Sequence, residues 1–347
     1  MSKTMNGKIK QCARVGILLG LTLTGALAHA QVSTTSTATK KIALSNNYAG
    51  NAWRQTMLTD WQTVTGKAVA AKTVAAAPTF TTAENQVTEQ AQQIQNLILQ
   101  GYNAIVIDAA SPTALNGVIK QACAAGIVVV SYDGIVTEPC AYKVSFDFHK
   151  WGEQQIDYMA SRLNNTGNLI EIRGIAGVSV DDAIHQGIVD GLKKHPGLKV
   201  VASVNGNWTQ TVAQKAVAGV LPTLPKIDGI VTQGDDGFGA AQAFKAAGRP
   251  LPVITLGNRY AELTWWKEQA ASGYKTISVS NPPGAVTAAF WVAQQALAGK
   301  KMSKEIMVPL LEVKQADLDT ELAKLQPGGV SDILYTAADT MKIVDSK

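Results

Sequence analysis

The sequence predicts an α/β protein made of two doubly wound, Rossmann-like lobes. Short runs rich in Val and Ile alternate with amphipathic segments from Lys41 onward. Several of those runs are apolar on both faces, as in parallel strands covered by helices. Removing an N-terminal leader of 30 residues from the 347 leaves 317, near the size at which a single core stops growing and a chain divides.

The leader is read from Lys3, Lys8, Lys10 and Arg14, which precede the apolar run Val15–Ala28 and the small-residue site Ala28–Ala30. That pattern is a secretory signal peptide cleaved after Ala30, and the apolar run is too short to span a bilayer core. The chain is therefore expected to be exported. The full chain has 31 Lys+Arg and 26 Asp+Glu; without the four basic residues of the leader the balance is 27 to 26, a net charge of +1. No basic patch remains to suggest nucleic acid. The next segment, 31–40, is rich in Ser and Thr and reads as a flexible leader.

The runs predicted as strands are 41–45, 67–75, 104–108, 127–133, 142–146, 169–173, 199–204, 229–233, 252–256, 276–280 and 306–313. In the first helix Trp53, Met57, Trp61 and Val64 share one face. The second helix opens with Thr81 and Glu84 spaced as a capping box, followed by Val87, Ala91, Ile94, Leu97 and Ile98. Cys12 leaves with the leader; Cys123 and Cys140 form an even pair in an exported chain and are expected to be a disulfide.

Doubly wound sheets bind ligands at the carboxyl ends of their strands. Those ends carry Asn51, Trp53, Arg54, Asp133, Arg173, Trp208, Asp235, Asn258, Ser280 and Asn281, with Asn207, Gln233, Asp236 and Arg259 nearby. Planar amides, carboxylates, guanidinium groups and indoles suit a neutral polyhydroxylated ligand. Carboxylates and amides can each hold two neighbouring hydroxyls, and an indole face covers sugar C–H groups. Taken singly, Asp235, Arg259 and Asn281 read as helix caps, and Trp53 serves equally as part of the helix's apolar stripe. The chain lacks H-E-x-x-H, G-x-S-x-G and Walker sequences, and Gly234–Gly239 lacks the third glycine of a dinucleotide turn. His149, His185 and His195 show no metal spacing and read as solvated or helix-terminal. No cofactor, metal or catalytic residue is expected.

In these segments the chain resembles the periplasmic sugar-binding proteins of ABC transporters, in particular the ribose-binding-like, type I group. The likeness is carried by "IALSNNYAGNAW", "NAIVIDAASPTALNGVIKQACAAGIVVVSYDG", "GIAGVSVDDAIHQG", "AQKAVAGVL", "IDGIVTQGDDGFGAAQAFKAAG" and "SNPPGAV", in order and over nearly the whole mature chain. It implies two lobes joined by a multi-strand hinge, with 41–146 plus 281–308 in the first and 147–280 plus 309–347 in the second. Asn51 and Trp53 match the asparagine and aromatic that grip the sugar from the first lobe. Asp133 matches the ligand-holding aspartate, and Trp208 the stacking aromatic of the second lobe. Asn258 stands where the group has an aspartate, Ser280 or Asn281 where it has a hinge glutamine, and Arg54 where it has a second aromatic. Ile184 replaces an arginine and Gly234 an asparagine, so a reshaped site is implied and ribose itself is left open.

The resemblance implies a monomeric receptor for a monosaccharide or related polyol. It would close on its ligand and present it to an inner-membrane ABC permease with its ATPase. A receptor for a membrane sensor, or a sugar-acting periplasmic enzyme, are the other readings.

Overall fold

The computed structural model describes residues 35–83 and 86–346; the expected signal peptide and Glu84 of the expected capping box lie outside them. Two parallel sheets organise the chain. Strands β1 (Ile42–Asn46), β2 (Thr79–Thr81), β3 (Ala104–Asp108), β4 (Val128–Tyr132) and β5 (Tyr142–Ser145) belong to the first. With β11 (Glu305–Met307) they make a six-stranded sheet of order β11-β5-β4-β3-β1-β2. Strands β6 (Gly167–Arg173), β7 (Leu198–Asn205), β8 (Gly229–Thr232) and β9 (Val253–Ile254) form the second, in the order β7-β6-β8-β9. Every pairing within these two sheets is parallel.

Helices α1 (Ala52–Ala70), α2 (Val87–Leu99) and α3 (Asn116–Ala124) follow β1, β2 and β3. Helices α4 (Phe148–Arg162), α5 (Ser179–Lys194), α6 (Gln210–Val220), α7 (Gly237–Ala246) and α8 (Tyr260–Ala270) serve the second lobe. β1 and β3 are buried along their whole length, as their two-sided apolar character requires. The stripe on α1 behaves as its spacing predicts: Met57 and Trp61 are fully buried, and the Trp61 ring meets Phe290 of α9 (Ala285–Leu297) edge to face at 5.6 Å. A buried Met57 contributes roughly 1.5–3 kcal/mol by area alone.

Several expectations are corrected. Residues 67–75 are not a strand: Lys67–Ala70 complete α1, and the edge strand comes later, at β2. Alanine-rich sequence favours continued helix, and the alternating Val and Ala positions mimic a strand period. Thr81 ends β2 rather than capping a helix, and α2 starts at Val87. The run 306–313 is two elements. β11 joins the first sheet, and beyond Pro309 β12 (Leu311–Val313) pairs antiparallel with β10 (Ser278–Ser280). Finally, the described part of the leader is tied down: the Thr35 N–H donates to the carbonyl of Ala298, and the buried Thr37 donates its hydroxyl to the Thr73 carbonyl at 2.7 Å.

The chain passes between lobes after β5, after β10 and between β11 and β12. It passes once more near its end. Val330 bridges Arg259 of the second lobe, and Asp332 accepts from the Gly284 N–H at the start of α9, 2.6 Å away. The short α10 (Leu318–Leu322) packs on α8, whereas α11 (Ala337–Asp345) packs on α9 and β11. The last helix thus lies on the first lobe, whereas the resemblance implies the second lobe for 309–347. Cys123, in the last turn of α3, is joined by a disulfide to Cys140 in the loop before β5.

Candidate functional site

The strand ends of the two sheets meet at a small cavity of ≈ 40 Å³. It is bordered by Asn51, Trp53 and Arg54 of the first lobe, Val180, Trp208, Gln233, Gly234 and Asp235 of the second, and Ser280 and Asn281 of the connection. Seven of the ten candidates named from sequence therefore converge. A larger groove of ≈ 840 Å³, flanked by Phe238, Lys245 and Trp265, belongs to the second lobe alone.

On the first lobe the turn after β1 sets the geometry. Asn51 is the N-cap of α1, its side chain accepting from the Arg54 N–H at 2.9 Å. The cap fixes the first turn of α1, and with it the start points of Trp53 and Arg54. Trp53 is both things its position allowed: it is 6 % exposed within the core and also borders the cavity. Its indole N–H donates to the Asn281 carbonyl at 2.7 Å.

Arg54 is buried. Its guanidinium lies 5.0 Å from the Trp53 ring centroid, is ion-paired to Asp108, and stands 3.6 Å from a carboxylate oxygen of Asp133. Asp133 accepts from the Asn281 amide at 2.5 Å. Burial pushes its carboxyl above the usual carboxylate range, against the pull of Arg54 and Asn281. Asp133 thus sits behind Arg54 and Asn281 rather than on the cavity wall.

On the second lobe Trp208 follows β7, with its indole over Gly174, where any Cβ would collide with the ring. That glycine lets the indole lie against the end of β6. Asn207, Trp208, Asp235 and, in the first lobe, Asp133 all have positive φ, between 47° and 54°. For non-glycine residues, and for a tryptophan above all, this is a costly conformation that clusters at working sites. Asp235 is ion-paired to Arg259 at 2.7 Å, and Arg259 also donates to the Trp208 carbonyl at 3.1 Å. Glu262 caps α7 by accepting from the Gly237 N–H at 2.8 Å. Burial first, and Asp235 second, raise the Glu262 carboxyl to about 7; burial likewise holds Asp236 well above its ordinary value.

Two candidates face elsewhere. Arg173 clamps Asp181 through Nε at 3.1 Å and Nη2 at 2.6 Å, bracing the start of α5. Asn258 is fully buried; its amide donates to the Leu311 carbonyl at 3.1 Å, and it accepts from Ser278 Oγ, so it ties the second lobe to the β10–β12 pair. Sequence reasoning missed Asp108, the last residue of β3. Register was the available signal, because Asp108 pairs with Asn46 at the end of β1, beside the turn that carries Arg54. His185 is not merely solvated: it meets the buried Glu171 at 2.7 Å.

Two parallel doubly wound lobes, crossed repeatedly by the chain and enclosing a polar, indole-lined cavity between their strand ends, define a bilobal binding protein. The chain belongs to the periplasmic binding protein family, whose domain model matches residues 42–301. A solved ABC transporter solute binding protein from Thermobispora bispora is 33% identical, with a TM-score of 0.84 over 88% of this chain and 95% of that one. The xylitol-binding protein of Mycolicibacterium smegmatis is 34% identical over 181 residues, 51% of this chain and 52% of its own, so the match spans about half of that relative. The ribose import binding protein of Bacillus subtilis is 25% identical over 231 residues, covering 66% of this chain and 74% of its own.

Proposed function

We propose that this protein is the periplasmic solute receptor of an ABC importer and binds a monosaccharide or related polyol between its lobes. The observation that carries the reading is the cavity itself, where Trp53 and Trp208 from different lobes share one space with Asn51, Gln233, Asp235 and Asn281. Indoles cover C–H faces while amides and carboxylates take hydroxyl edges. The Nε of Arg259 and Oδ1 of Asp235 are buried without a protein partner, a donor and an acceptor at the second-lobe side. The xylitol-binding and ribose import relatives support the same ligand class.

The mechanism is hinge closure about the crossing segments, which brings the two indole-bearing walls together on the ligand. The closed monomer is what an inner-membrane permease, driven by its ATPase, would engage. No catalytic step belongs to this reading. A thermal-shift screen of the mature protein against monosaccharides, polyols and sugar acids tests it. A ligand at about 100 times its Kd stabilises by roughly 2.7 kcal/mol. A screen with no shift in any of these classes overturns the reading.

A further inference from the structure

Among the described residues that border the cavity Arg54 is the only cation, and its charge is already matched. The partner is Asp108, which is 0 % exposed, with Asn46 Oδ1 at 3.4 Å and Asp133 at 3.6 Å on the same guanidinium. The other two arginines near the cleft are equally engaged, Arg259 by Asp235 and Arg173 by Asp181. An anionic ligand entering this space would shed its water, meet no cation whose charge is not already paired, and face the carboxylate of Asp235 on the wall. Burying a charge without a partner is costly, and like charges brought together in an interface select against the wrong ligand.

We propose that Asp108 sets the charge selectivity of the cleft: by holding the Arg54 guanidinium in a buried ion pair, it admits uncharged polyhydroxylated ligands and refuses sugar acids. Asp108 acts through Arg54 and is a positioning residue rather than a ligand contact. The proposal rests on the sugar or polyol reading of the site and narrows it.

The test is calorimetric titration with two matched pairs, xylitol against xylonate and ribose against ribonate. In the wild type the neutral member of a bound pair should be favoured by at least about 100-fold. Asp108→Asn removes the direct partner of Arg54 and leaves only the carboxylate of Asp133, 3.6 Å away, so a ligand carboxylate can take the vacated place. That variant should narrow the preference by at least about tenfold, chiefly through tighter binding of the acid. A merely structural Asp108 would lower the melting temperature and leave the ratio unmoved, which overturns the proposal.

Should Asp108→Asn not fold, the double variant Arg54→Gln/Asp108→Asn removes both charges. It should still refuse the acid, and binding of xylonate within tenfold of xylitol would count against the proposal. A wild type that prefers the acids overturns the inference alone, since the sugar-class site survives. A wild type that binds neither pair and nothing in the wider screen overturns the proposed function and the inference together.

Discussion

The indole N–H of Trp53, in the first turn of α1, donates to the backbone carbonyl of Asn281, where the chain leaves β10 for the first lobe, at 2.7 Å. One side chain therefore joins the first lobe, the connection and the cavity wall. Trp53→Phe should keep most of the packing and lose this bond, for a stability loss of about 1 kcal/mol. Trp53→Ala should cost roughly 3–5 kcal/mol of stability and also weaken ligand binding. Thermal unfolding and titration on both variants check this; a destabilised Trp53→Ala with unchanged affinity would show that the indole serves only the core.

Asp133 holds Asn281 from behind and balances Arg54. Asp133→Ala should abolish or strongly weaken binding, by about 5- to 150-fold for each group left unpaired at roughly 1–3 kcal/mol. The far-ultraviolet circular dichroism should stay that of the wild type. Affinity equal to the wild type would remove Asp133 from the binding machinery.

The Cys123–Cys140 bond closes a short loop on the first lobe, with a sequence separation of 17. Reduction, or Cys123→Ser/Cys140→Ser, should lower stability by about 3 kcal/mol on the chain-entropy account. Non-reducing mass spectrometry of the mature protein should find no alkylatable thiol at either position.

The protein should be more stable in mild acid than in mild alkali. Burial, and then the neighbouring Asp332, raise Asp60 from its ordinary 3.8 to about 8, and Glu262 rises to about 7. A carboxyl with a raised folded pKa binds more protons folded than unfolded, so its contribution falls as pH climbs through that window. The carboxylates held low, Asp190, Asp228 and Asp339, act only at more acidic pH. The melting temperature should drop by a few degrees from about pH 5 to 8.5, since about 1 kcal/mol moves it roughly 2–4 °C for lobes of this size. Asp60→Asn should flatten part of that drop; a melting temperature that rises over the range would contradict the assignment.

The fold was legible because parallel buried strands leave an unmistakable trace: β1, β3 and β4 are apolar on both faces and spaced by amphipathic stripes. Lys67–Ala75 misled because alanine and valine satisfy a helix period and a strand period alike, and only packing decides between them. The cavity residues were legible as strand-end polar groups. Asp108 was not, because a carboxylate closing a strand reads like any other boundary until the register sets it beside Asn46. Arg173 and Asn258 have the right chemistry at the right strand ends, yet nearer partners, Asp181 and Leu311, take their donors. Sequence position nominates a side chain; the shortest available hydrogen bond decides where it goes.

The return of α11 to the first lobe has a practical consequence for anyone wishing to watch the lobes move. Thr35 is bonded to the carbonyl of Ala298, and Asp345 is paired with Lys300 at 3.0 Å, so both described ends of the chain ride on the same body. A donor and an acceptor fluorophore fused to the two termini would travel together and report little of closure. One dye belongs at a terminus and the other on the outer surface of the second lobe, for instance at the exposed Lys245 of α7.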